Sequence, residues 1–290
     1  MKLEEIIEFL GERVPRLEVG VLEKVRAFVI RDFKTWWTYR LWVLLDITGA
    51  LTSVATYYFV SRIVTPTALV NAGYTADFLT FTVIGISFQH YVWSSVSGLS
   101  EAIRDEQYDG TMETILSSRT SFRVFLLGES VFRFLVGSYF LIASLVMGLI
   151  IGAKFNLTLG SALAATILTV LLIASHMVVG VLGAGAILKL KQGDPIVWAF
   201  TWLTQLFSGV LYPLGLLPGY LQWVGAVFPL TFSLDGLRRC LMNGEDLTSI
   251  AILGDAAKLV VFIVVMLPVS LWVFKVAYDS TRREGALGQY

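Results

Sequence analysis

The residues that could do chemistry in this 290-residue chain are few, and their spacing decides which chemistries are open to it. His90 and His176 are its two histidines, and each falls inside an apolar run. Imidazole serves as metal ligand, proton relay or general base, but neither histidine stands in a cluster of carboxylates. A structural or pore-lining role is therefore favoured over a catalytic one. Asp46 lies early in another apolar run. A carboxylate there is a functional-site candidate by default, and its nearness to the basic end of the run equally allows it to reach water or a lysine. Serine is frequent but never occurs as G-x-S-x-G, and no serine in a glycine-rich setting is matched by a histidine at its level, as an intramembrane protease requires. The single cysteine, Cys240, excludes an intrachain disulfide and a cysteine metal cluster. GAGAILK at 183–189 has glycines and a lysine at the wrong spacing for a phosphate-binding loop, so ATP is not bound by that route.

The longest polar interruption is Glu101 to Gly128, EAIRDEQYDGTMETILSSRTSFRVFLLG. Arg104, Asp105, Glu106, Asp109 and Glu113 cannot sit in lipid without partners. Ile103, Met112, Ile115 and Leu116 recur at roughly helical intervals, with Gly110 marking a bend. Two readings stand for this stretch: an amphipathic helix along the inner membrane face, or a polar loop joining two membrane helices. Charges to grip a soluble partner and apolar residues to grip the chain's own membrane part are what a force-transmitting helix needs.

The elements that hold these residues follow from composition. The chain is 56% hydrophobic and only 15% charged, against about a quarter charged in globular domains. Several apolar runs reach the roughly 20 residues a bilayer-crossing helix requires, so the sequence predicts an all-α polytopic membrane protein. No short apolar run with a cleavage site stands at the N-terminus, so no secretory signal is expected. Residues 1–40 read as an interfacial amphipathic segment, broken at Pro15 and closed by Trp36, Trp37, Tyr39 and Trp42 beside basic residues. Six spans are expected at about 41–61, 78–100, 122–152, 160–188, 196–212 and 256–277. In the third, Glu129 and Arg133 are four apart and can pair across one turn. Small residues at 148, 152, 180 and 183–185 suit close helix packing. Residues 213–245 carry Pro213, Pro218 and Pro229 yet stay apolar, which predicts a re-entrant pair of short helices. Residues 278–290 form a polar tail. With six spans, all of the 22 basic residues except Arg62, Lys154, Arg238, Arg239 and Lys258 fall on one side. That bias makes both termini and the 101–128 stretch cytoplasmic.

Together these features resemble the ABC-2 type permease family, the membrane half of ATP-binding-cassette exporters of the type V layout. Glu106-x-x-x-Gly110-Thr111-x-Glu113-x-Ile115-Leu116 is similar to the family's E-x-x-x-G-T-x-E-x-L signature. Gly209-x-x-Tyr212-Pro213, Leu217-Pro218 and Phe228-Pro229-Leu230 are similar to its extracellular re-entrant hairpin. Ser118-Arg119-Thr120 departs from the proline often found after the signature, which puts the end of that helix in question. The resemblance spans about residues 20–280.

The resemblance implies a coupling helix at about 103–117 that docks into two cytoplasmic ABC ATPase subunits through Arg104, Asp105, Glu106, Asp109, Gly110, Thr111, Glu113, Ile115 and Leu116. ATP and Mg would bind in those partners, with no cofactor in this chain. It implies a second permease chain, as homodimer or heterodimer with a paralogue, in a prokaryotic plasma membrane, with no nucleic-acid partner. Tyr212, Pro213, Leu217, Pro218, Pro229 and Leu230 would form an extracellular gate. Tyr57, Phe81, Phe88, Tyr91, Trp202 and Phe207 are candidates for the substrate path, and they equally suit ordinary helix packing. A lipophilic drug, lipid or amphipathic substrate, a glycolipid included, fits this lining. The alternative is a stand-alone ion-coupled carrier or channel. Such proteins show paired intramembrane charges or internal repeats, and neither is clear here.

Overall fold

A computed structural model of the chain describes residues 19–64, 67–118, 120–190 and 195–283. The pattern expected before Pro15, the terminal residues after 283 and part of the 189–195 loop lie outside the described residues. Every described element is helical. Helix α1 is Val21–Thr38, α2 Arg40–Ser61, α3 Thr67–Asn71, α4 Phe78–Tyr108, α5 Met112–Ser117, α6 Phe122–Ile151, α7 Leu159–Leu190 and α8 Pro195–Phe207. A 3-10 turn at Leu214–Leu216 leads to α9 Gly219–Gly225 and α10 Pro229–Arg238, then a π turn at Arg239–Asn243, and α11 Ile250–Arg283 closes the chain.

Among the described residues, four helices are long and apolar enough to cross a membrane: α2, α6, α7 and α11. They coincide with the expected first, third, fourth and sixth spans. The two remaining expected spans differ for distinct reasons. Helix α4 has 31 residues, ample length, but it buries Thr80, Thr82, Ser87, Gln89, Ser97 and Ser100. Helix α8 is apolar but has only 13 residues.

The core is built on α4. Phe81, Ile84, Phe88, Tyr91, Val92 and Val96 on α4 meet Leu168 and Leu172 on α7 and Leu230, Leu234 and Leu237 on α10. Helix α6 packs on the other flank of α4, and α11 packs along α7 and α10. Small residues allow these approaches: a Cβ at Gly148 would lie 2.6 Å from Val83, and one at Gly137 would lie 3.0 Å from Tyr91. Gly185 comes similarly close to Phe274. Gly152 does something else than the packing expected of it. It caps α6 with φ +114°, and open space surrounds the position where a Cβ would stand. A left-handed cap is what glycine supplies without strain.

Helix α1 lies against α6 through a stripe of half-buried residues, Val25, Phe28, Val29, Asp32 and Trp36. Phe28 sits over Gly128, where a Cβ would approach it to 2.7 Å. Trp36 meets the Tyr139 ring edge-on at 5.9 Å. Leu22, Phe33 and Trp37 face outward, as an interfacial helix with an unburied apolar side would place them. On α2, Thr48, Thr52 and Thr56 return their hydroxyls to the carbonyls one turn back, each at 2.8 Å. That face is polar in sequence but presents methyl groups outward.

Candidate functional site

The 101–128 stretch is not one helix. Helix α4 runs without interruption from the apolar core through Arg104, Asp105 and Glu106 to Tyr108. The chain then bends at Asp109–Gly110, with Gly110 at φ +70°, and α5 begins at Met112. A hydroxyl-to-carboxylate bond from Thr111 to Glu106 and a backbone bond from Thr111 N to Glu106 O at 3.0 Å close the bend. The elbow is fastened from beneath: Ile103 and Met112 are buried with Phe125 of α6 and Ala184 and Ile187 of α7, and Ile115 packs against them. Phe28, Phe274 and Tyr278 also pack against this cluster, so six helices contribute to the apolar contact at the bend.

The polar residues of the elbow divide into two sets. Asp105, Asp109, Thr111 and Glu113 are exposed, and Arg104 is half-buried. Glu106 turns inward. Its carboxylate lies 2.6 Å from Arg31 of α1, and Arg31 also meets Glu129 of α6 at 2.6 Å and Asp32 at 2.7 Å. Half-burial opposes the Arg31 charge, but its bond to Asp32 and the fields of Asp32, Glu106 and Glu129 outweigh that, so its pKa is raised. One guanidinium thus ties three helices together, beside a cavity of about 540 Å3 that Asp105, Asp109 and Arg133 also line. The expected turn-to-turn pair of Glu129 with Arg133 is replaced: Glu129 takes Arg31, and Arg133 lies 3.7 Å from Glu101. The Leu116 side chain and Arg119 lie outside the described residues.

At the opposite end, the proline-broken segment folds as two short helices and a 3-10 turn. Pro213, Pro229 and Leu230 are buried, Leu217 is half-buried and Pro218 is exposed. Tyr212 donates its hydroxyl to Leu206 O. The segment is held by a residue that entered the sequence reading only through the charge bias. Arg238 is buried and donates to Gly209 O at 2.8 Å, Val210 O at 2.7 Å and Phe81 O at 3.3 Å. Its guanidinium lies 3.4 Å from the centroid of the Phe81 ring. Burial lowers its pKa to about 10, so it is charged at neutral pH. Next to it, Asp235 accepts from the Tyr74 hydroxyl and from Arg239. An arginine pair, Arg238 and Arg239, in an otherwise apolar segment was the available signal.

The six aromatic candidates are not brought together. Phe81, Phe88 and Tyr91 are buried in the core of α4, whereas Tyr57 and Phe207 are half-buried and Trp202 is exposed. His176 is fully buried and donates Nδ1–H to Leu172 O at 2.7 Å, a structural role. His90 and Asp46 are exposed and line one cavity between α2, α4 and α6. The described residues hold no group of three or more histidine, cysteine or acidic side chains fit for a metal.

The family profile described as "ABC-2 family transporter protein" matches residues 50–272, which includes α4, the elbow, the proline-broken segment and most of α11. No curated protein matches the chain. With the profile covering most of its length, this chain belongs to the ABC-2 transporter family and is an ABC-2 type permease, a multi-pass membrane transport component.

Proposed function

We propose that this chain is the substrate-conducting subunit of an ATP-binding-cassette exporter, driven by two separate cytoplasmic ATPase subunits that bind ATP and Mg. The observation that carries this reading is the elbow at Gly110: exposed acids at Asp105, Asp109 and Glu113, backed by Ile103 and Met112 buried in an apolar cluster to which six helices contribute. Such a part can take a push from a soluble partner and pass it into the bundle. Six crossings are proposed, with α4 as a polar second span, α8 as a short fifth, both termini in the cytoplasm of a prokaryotic cell and residues 213–245 as an outer hairpin. Two permease chains would pair through α2, α4 and α8, whose outer faces carry Leu44, Trp93, Trp198 and Trp202. An amphipathic or lipophilic substrate would leave between them.

The test uses the complex purified from its native membrane with its bound soluble subunits and reconstituted into vesicles. Glu113→Lys is expected to lower ATP turnover at least about fivefold, as the loss of roughly 1 kcal/mol of interfacial charge contact implies. Permease yield and melting temperature should hold, because Glu113 is exposed. Unchanged hydrolysis would remove the docking role of the elbow, and a permease that purifies with no soluble subunit would favour the ion-coupled carrier.

A further inference from the structure

The cavity between α2, α4 and α6 holds chemistry that neither the elbow nor the hairpin uses. It measures about 160 Å3 and is lined by Asp46 and Ser53 of α2, Ile86 and His90 of α4, and Ser144 of α6. That volume admits several waters or a small ionic headgroup. Asp46 is six residues beyond Arg40, the first residue of α2, which places it roughly 9 Å along a helix that must cross lipid. His90 lies near the middle of α4, and the Phe140 ring stands 5.3 Å from its imidazole. Neither Asp46 nor His90 makes a hydrogen bond or ion pair within the described residues. A carboxylate at such depth costs several kcal/mol unless something answers its charge. Among the described residues lining the cavity, His90 is the one basic group, its field reaches Asp46, and no lysine or arginine supplies a permanent positive charge.

We propose that this cavity is a headgroup subsite for amphipathic cations, with Asp46 as counter-ion. The other walls fit the same ligand. The Ser53 and Ser144 hydroxyls offer acceptors to an ammonium, the His90 ring, backed by Phe140, offers a π face to a quaternary one, and Ile86 and Leu45 give an apolar collar for the tail. Asp46 is exposed on α2, the helix assigned above to the permease interface, so a bound headgroup would stand beside the proposed route. This rests on the transporter reading, and it narrows the substrate from any lipophilic molecule to one carrying positive charge.

The experiment measures binding to the purified permease in lipid nanodiscs, without nucleotide. The probe is a fluorescent alkyltrimethylammonium, set against its uncharged tert-butyl isostere of equal chain length. Wild-type protein should bind the cation at least about tenfold more tightly than the isostere, the ratio that 1.4 kcal/mol of charge recognition gives. Asp46→Asn should abolish that preference and leave isostere binding unchanged, which also shows that the variant is folded. Asp46→Glu should retain most of it. Equal binding of cation and isostere by wild type, or an intact preference in Asp46→Asn, overturns the proposal. Cation preference in a complex that hydrolyses no ATP would support the subsite while refuting the transporter reading, so the two failures are separable.

Discussion

Arg31 is the residue on which the packing of α1 most depends. Its partners Glu129 and Glu106 are 5% and 12% exposed, so removing the guanidinium strands two nearly buried carboxylates. Breaking a fully buried pair in this way costs about 3–5 kcal/mol. Arg31 is itself 42% exposed, and solvent screening discounts the figure, so Arg31→Gln should destabilise the permease by about 2 kcal/mol. Glu129→Gln added to Arg31→Gln should recover at least about 1 kcal/mol, because the stranded charge is gone. Thermal unfolding of the four proteins of this double-mutant cycle in detergent checks both values, and strict additivity would mean that the pair is not coupled. Glu106 and Glu113 look alike in the sequence motif, but only Glu113 is available to a partner. The distinction was not legible because the cation that captures Glu106 stands 75 positions earlier, on another helix.

At the scale of elements, the elbow depends on one backbone conformation. Gly110 sits at φ +70°, and a Cβ there would meet nothing within 4 Å. Side-chain crowding is therefore excluded, and only left-handed strain acts. Gly110→Ala should cost about 1 kcal/mol and Gly110→Val more, while Gly110→Asn, which tolerates that region, should cost less. Melting temperatures that follow the order Gly, Asn, Ala, Val confirm the bend, and indifference to all three substitutions removes it. The glycine, the two flanking helical patterns and the proline-broken segment were all readable from local sequence. The extent of α4 was not. A run of charges from Glu101 onward reads as the end of an apolar helix, but Arg31 and Arg133 reach Glu106 and Glu101 from α1 and α6 and let the helix continue to Tyr108. Arg238 was hidden in the same way, because its acceptors at Gly209 and Val210 are backbone atoms that no side-chain pattern announces.

For the whole molecule, the elbow and the proline-broken segment occupy opposite ends of the bundle, so one label fixes its orientation. Cys240 is fully buried, and the natural thiol should stay silent in the folded protein. Asp109→Cys should then react with an impermeant maleimide only in inverted vesicles or opened cells. Labelling from outside intact cells would reverse the molecule and remove the elbow from the reach of any cytoplasmic ATPase. The four long apolar helices α2, α6, α7 and α11 were legible from run length. How many helices cross was less so, because α4 hides its polar residues against α6, α7 and α10 rather than in water.

The brevity of α8 has a consequence for the lipid around it. Its 13 residues rise only about 20 Å, against roughly 30 Å of hydrocarbon in a typical bilayer. Helix α9 packs against α8 and turns Tyr220 and Trp223 outward, and such rings settle at the level of phospholipid headgroups. With α8 as the proposed short fifth span, headgroups beside that corner would dip by about a third of the acyl thickness, leaving a dimple in the leaflet through which an emerging amphiphile would have a shorter distance to travel.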